Sequence, residues 1–255
     1  MVAAMDARRG VFGDFTQATA VLTRIPIGVG APEAGAVAAA SWSFPLVGAG
    51  VGGIAAIVFF TAETLGLAAL PAALLAVIAA VAVTGALHED GLADTADGFG
   101  GGRDRASKLA IMRDSRQGTY GIVAIAASLG LRAAAVASTP DPISAALALI
   151  AAHAASRAML PIGMRALAPA RDDGLGATAG RPSMAGAMIA AAIGAAIALA
   201  ALGPARGLVA LALAGAAVAL TAVLAQRQIG GYTGDVLGAF QQIGEIVMLL
   251  VAAAR

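Results

Sequence analysis

The stretch SMAGAMIAAAIGAAIALAALGPARGLVALALAGAAVALTAVLA, residues 183–225, holds two runs without a charged side chain, 183–202 and 207–225, split by Gly203-Pro204-Ala205-Arg206. Each run approaches the roughly 20 apolar residues that a helix needs to cross about 30 Å of hydrocarbon. Only helices and closed barrels satisfy their backbone in lipid, so the pair reads as two transmembrane helices joined by a tight turn. Working outward, the same pattern recurs at 44–60, at 64–87 with a kink expected at Pro71, at 119–138 with Arg132, at 143–164 with His153 and Arg157, and at 236–254 with Gln241, Gln242 and Glu245. The expected fold is an all-α polytopic membrane protein of about seven transmembrane helices, one domain over residues 1–255.

Composition agrees. Of 255 residues 60% are hydrophobic and only 12% charged, about half the charged share of a soluble domain. A net charge of +1 gives no basic field for a nucleic-acid partner; the lipid bilayer is the expected surrounding. With no cysteine and only His88 and His153, disulfides, zinc-thiolate sites and a Cys nucleophile are excluded. Alanine and glycine abound in the spans, read first as coding bias and second as close helix packing. Arg8 and Arg9 are followed by Asp14, Thr16, Gln17 and Arg24 rather than by an apolar signal core, so the N-terminus is expected to be retained.

Seven spans with a cytoplasmic N-terminus place Arg8, Arg9, Arg24, the 103–116 basic group, Arg165, Arg171, Arg181 and Arg227 inside, and only Arg206 and Arg255 outside. Three polar loops, 88–118, 165–182 and 226–235, then share the cytoplasmic face of an inner membrane.

The loop 88–118 carries the chemistry. If it is helical, with short interfacial helices, Asp90, Asp94 and Asp97 lie at i, i+4 and i+7, within roughly 60° of one another. Like charges so stacked call for a hard divalent cation, and oxygen-only donors point to magnesium (Mg2+) or manganese. Gly100-Gly101-Gly102 breaks this helix and Asp104 can cap the next. Arg113, Ser115 and Arg116 then suit phosphate contacts, a combination that phosphoryl transfer requires. His88 reads equally as general base or as an orienting group, with Asp114 as rival base. Thr233 and Asp235, in the Gly-rich turn that opens the last span, read equally as turn residues and as substrate contacts. Glu245, deeper in that span, is expected either on the wall of a polar cavity that binds substrate or in a structural pair with Arg132 or Arg157. His153 reads as a satisfied interior histidine.

Three blocks resemble the cobalamin synthase family, the adenosylcobinamide-GDP ribazoletransferases: His88 to Gly98 (H-x-D-G-L-x-D-T-x-D-G), Ile111 to Gly121 (I-M-x-D-S-x-x-G-x-x-G) and Gly230 to Ala239 (G-G-x-T-G-D-x-L-G-A). Leu22-Thr23-Arg24-Ile25-Pro26 and Phe44-Pro45-Leu46-Val47-Gly48 resemble its N-terminal landmarks. The resemblance implies a magnesium-dependent inner-membrane enzyme in which α-ribazole or its 5′-phosphate displaces GMP from adenosylcobinamide-GDP. Asp94-Thr95-Ala96-Asp97-Gly98 is also similar to the start of the CDP-alcohol phosphotransferase signature, whose remainder is missing here. A lipid phosphotransferase of that type and a seven-helix cation transporter are the alternatives. A homo-oligomer stays open.

Overall fold

The computed structural model describes residues 10–28 and 35–254; Arg8, Arg9, Glu33 and Arg255, which enter the topology reading, lie outside the described residues. Those residues form α1 (Val11–Leu22), α2 (Ala36–Ala40), a 3-10 turn (Ser41–Ser43), α3 (Phe44–Thr64), α4 (Ala69–Thr84), α5 (Leu87–Gly101), α6 (Arg105–Ile111), α7 (Thr119–Ala137), α8 (Pro142–Ala166), α9 (Gly174–Thr178), α10 (Met184–Leu202), α11 (Pro204–Ile229) and α12 (Gly234–Ala253). No strand forms among them.

Six helices are long and apolar enough to cross a membrane: the Ala36–Thr64 segment, α7, α8, α10, α11 and α12. The expected second span, 64–87, differs. Helix α4 has 16 residues, about 24 Å at 1.5 Å per residue, and reaches spanning length only together with α5, from which it is bent by 91°. Two consecutive left-handed residues make that bend, Gly85 at φ 65° and Ala86 at φ 58°. The alanine costs about 1–2 kcal/mol in this conformation. It is held there by the Ala86 amide donating to Val81 (2.9 Å) and the Asp90 amide donating to Ala86 (2.9 Å). Helix α5, with four acidic residues, packs along α12 and α7, and α6 follows it. Asp104 caps α6 as expected, accepting the Ser107 amide at 2.8 Å.

Helix α8 is the axis of the bundle, packed against α3, α10 and α12. At two positions the small residues are required by packing rather than reflecting bias alone. A Cβ on Gly48 would lie 2.2 Å from the His153 carbonyl oxygen, and one on Gly52 would lie 2.6 Å from that of Leu149. Alanines fill most of the remaining core, which lets the helix backbones approach closely.

Polar side chains inside this alanine-rich bundle close on one another. The Arg132 guanidinium of α7 donates to Glu89 of α5 (2.9 Å) and to Glu245 of α12 (3.0 Å). The second Glu245 oxygen meets His153 Nδ1 at 3.0 Å and lies 3.8 Å from Arg157. Gln242 donates to Glu89 (3.1 Å) and accepts from Ser128 (2.6 Å), while Gln241 donates to Ser156 (3.0 Å) and to Glu245. Two arginines and two glutamates cancel, which makes their burial tolerable. His153 is the satisfied interior histidine that was expected. Glu245 is 1% exposed, so it does not line an open substrate cavity; it takes the structural alternative, because Arg132 and His153 face it from two neighbouring helices.

Replacing Arg132 with Met strands Glu89 and Glu245 without their shared cation, a defect worth about 3–5 kcal/mol. Thermal unfolding in detergent should show a clearly lowered midpoint for Arg132→Met. An unchanged midpoint would show that the network contributes nothing to the fold.

Candidate active site

Helices α5 and α12 cross glycine on glycine. A Cβ on Gly91 would lie 2.7 Å from the Asp235 carbonyl oxygen, and one on Gly238 would lie 3.1 Å from both the His88 carbonyl oxygen and the Gly91 Cα. This approach brings Asp90 and Asp94 of α5 beside Asp235 in the first turn of α12. Thr233 caps α12 by accepting the Val236 amide (3.3 Å), and its hydroxyl donates to Asp235 (3.0 Å). Asp90 is exposed and Asp94 half-buried. Partial burial, reinforced by the charges of Asp90 and Asp235 and more weakly by Asp97, pushes the Asp94 carboxyl up to about 6 against a 3.3 Å hydrogen bond from Gln117. An aspartate so loaded with like charge is poised to exchange its proton for a cation.

Asp97 is placed otherwise. Its two oxygens accept the backbone amides of Gly118 (2.7 Å) and Gly121 (2.9 Å), and it is 6% exposed. The free N–H groups at the start of α7 bind a carboxylate well, so Asp97 fastens α5 to α7. Asp235, from a different helix, takes the third place in the acidic group. Ideal helical angles set Asp97 on the same face but could not show that α7 begins against it.

The neighbouring predicted residues also separate. Arg116 donates to Asp114 at 2.6 Å, holding that exposed carboxyl down at about 2, too weak a base near neutral pH. Arg113 is paired with Asp173 at 2.6 Å. Asp114, Arg113, Ser115 and Arg116 are not among the residues lining the cavity beside the aspartates; His88, Asp90 and Asp235 are. That cavity has a volume of about 210 Å3. Its polar lining also includes Arg171, which by sequence falls in the polar 165–182 loop, read first as solvated and second as a lid or nucleotide contact, because nothing in its spacing ties it to Asp235 in another helix. The rest of the lining is largely apolar, with Leu22, Phe44, Leu160 and Met164.

Among the described residues no three His, Cys, Asp or Glu side chains stand close enough to cage a metal by themselves. The donor set nevertheless fits magnesium, which is usually held by one or two carboxylates with waters and substrate phosphates completing its shell.

The sequence profile of the cobalamin-5-phosphate synthase family matches residues 14–253. The chain belongs to this family. It is 51% identical over 255 residues to an adenosylcobinamide-GDP ribazoletransferase of Bradyrhizobium diazoefficiens, covering 100% of this chain and 98% of the relative. It is 49% identical over 245 residues (96% and 94% covered) to one of Mesorhizobium japonicum, and 44% identical over 250 residues (94% and 95% covered) to one of Azorhizobium caulinodans. No solved structure matches. The three family-like blocks meet in space. The first is α5, the second supplies the Gly118 and Gly121 amides that hold Asp97, and the third is the turn and first helical turns around Asp235.

A divalent cation bound at Asp94 would compete with the proton there. Divalent-cation affinity of the purified protein should fall about tenfold per pH unit below about 6 and level off above it. Asp94→Asn should remove both the affinity and its acid limb. A titration with Mn2+ from pH 5 to 8 that shows wild-type affinity in Asp94→Asn would contradict the assignment.

Proposed function

We propose that this chain is the magnesium-dependent transferase that joins adenosylcobinamide-GDP to α-ribazole, or its 5′-phosphate, with release of GMP. The observation that carries the reading is the meeting of Asp90, Asp235 and His88 in the lining of a cavity whose remaining wall is largely apolar, with Asp94 close enough to feel the charges of Asp90 and Asp235. A charged diphosphate fits the polar part of the lining and the less polar parts of a large amphipathic substrate fit the remainder. Relatives 40–51% identical that carry the ribazoletransferase name support the same reaction.

In this reading a ribose hydroxyl of the ribazole, one that stays free in the 5′-phosphate as well, attacks the phosphorus that bears the cobinamide. The new O–P bond forms as the bond to the GMP oxygen breaks, and the leaving oxygen keeps the electron pair. Magnesium held by one or two of the carboxylates of Asp90, Asp94 and Asp235, with waters and phosphate oxygens completing its shell, would neutralise charge on the diphosphate. His88 lines the cavity beside Asp90 and is the group placed to accept the hydroxyl proton, since Asp114 is engaged by Arg116. Glu89 and Glu245 serve by locking α5, α7 and α12 in register.

The same reading places the site on the cytoplasmic side of the inner membrane. Arg105 donates to Ile229, Arg113 to Asp173 and Arg181 to Arg165, so the basic residues of the three polar loops gather at one end, while Arg206 donates to Ala254. That asymmetry follows the preference of Lys and Arg for cytoplasmic loops. The transporter alternative is disfavoured because the buried charges form a closed, neutral network rather than a lined path.

Protein purified in detergent should release GMP from adenosylcobinamide-GDP only when both magnesium and α-ribazole or its phosphate are supplied. Release that ignores either addition, or no release, would contradict the proposal.

A further inference from the structure

The segment between α8 and α10 is strapped to the turn that opens α12. The Tyr232 amide donates to Ala168 (2.9 Å), the Ala170 amide donates to Tyr232 (2.7 Å), and the Tyr232 hydroxyl donates to Gly176 (3.2 Å). A Cβ on Gly231 would lie 2.1 Å from the Ala168 carbonyl oxygen, so the approach depends on glycine. Arg105 of α6 reaches in and donates to Ala170 and Ile229. The backbone on the N-terminal side of Arg171 is thereby fixed.

The Arg171 side chain, 17% exposed, forms part of the cavity wall with His88, Asp90 and Asp235. A guanidinium carries five N–H donors in a planar fork, and this one uses them poorly. Its Nη2 lies 3.4 Å from Asp235 and its Nε 3.6 Å from Asp173, at or beyond the limit of a hydrogen bond. Its Nη1 is buried and has no partner among the described residues. Arg113 and Arg116, by contrast, each hold a carboxylate at 2.6 Å. A largely buried cation with an idle nitrogen on a cavity wall is incomplete, and a phosphate oxygen would complete it through a short, charge-assisted contact.

We propose that Arg171 is the residue that binds a phosphate of the nucleotide-activated substrate, with Asp235 holding its guanidinium aimed at the cavity beforehand. This rests on the reading that the site takes a nucleoside-diphosphate-activated substrate, and it assigns to Arg171 the role that the sequence pattern suggested for Arg113 and Arg116. A lysine cannot reproduce the fork, so the two substitutions are expected to differ from wild type to different extents.

The test uses full-length protein in nanodiscs, with steady-state GMP release and direct binding of GDP in the presence of magnesium. Arg171→Gln should raise KM for adenosylcobinamide-GDP and the Kd for GDP by about ten- to a hundredfold, as expected for loss of a contact to a charged group, with kcat changed by less than about threefold. Arg171→Lys should recover part of this, and Arg206→Gln, at the opposite end of the bundle, should match wild type. Wild-type KM and Kd in Arg171→Gln, or lost kcat at unchanged KM, would overturn the proposal. If the Gln variant fails to fold, the Lys variant decides, with raised KM in favour and wild-type KM against. If wild type releases no GMP at all, the transferase reading fails, and GDP binding alone decides the role of Arg171, kept if Arg171→Gln loses it and discarded if the two bind equally.

Discussion

The contact on which the site depends is the crossing of α5 and α12 at Gly91 and Gly238, where a Cβ on either residue would press into the other helix's backbone. No larger residue allows that approach. With the helices this close, aspartates from separate parts of the chain share one edge of the bundle, and the His88 side chain turns into the same cavity. The 91° bend at Gly85 and Ala86 serves this crossing, because a straight continuation of α4 would carry the acidic turn away from α12.

Farther along α12 the same helices are pinned electrostatically. Arg132 bonds Glu89 and Glu245 at once, so α5, α7 and α12 cannot shift without leaving a charge unpaired in an alanine-rich core. The molecule thus keeps two groups of charge with opposite character. The interior group is neutral and closed. The group at the polar end has an excess of carboxylates, with Arg171 3.4 Å from Asp235, and the raised proton affinity of Asp94 follows from partial burial together with that imbalance.

The spans were legible because hydrocarbon demands a long apolar run, and six of them fall within a few residues of the charge-free segments. The remaining one, 64–87, is a bent pair rather than one straight helix, because Gly85 looks like any small residue in an apolar run, while its positive φ is what ends α4. Helical spacing grouped Asp97 with Asp90 and Asp94, whereas its carboxylate is taken by the Gly118 and Gly121 amides, since spacing along one helix is blind to the N-terminus of α7 resting against it. For the same reason the Arg171 loop reads first as solvated and only second as a lid or nucleotide contact. Its significance arises from a pairing between residues 168–170 and Tyr232, far apart in the chain. Motif resemblance supplied what periodicity could not, by marking the Gly230 to Ala239 turn as belonging with the acidic helix.

The most direct test of this account is a count of saturable Mn2+ sites by electron paramagnetic resonance in nanodiscs, comparing wild type with Asp235→Asn and Asp97→Asn. A cation site shared between α5 and α12 predicts that Asp235→Asn loses the site while folded Asp97→Asn keeps it. Retention in Asp235→Asn with loss in Asp97→Asn would return the site to a single helix and contradict the account.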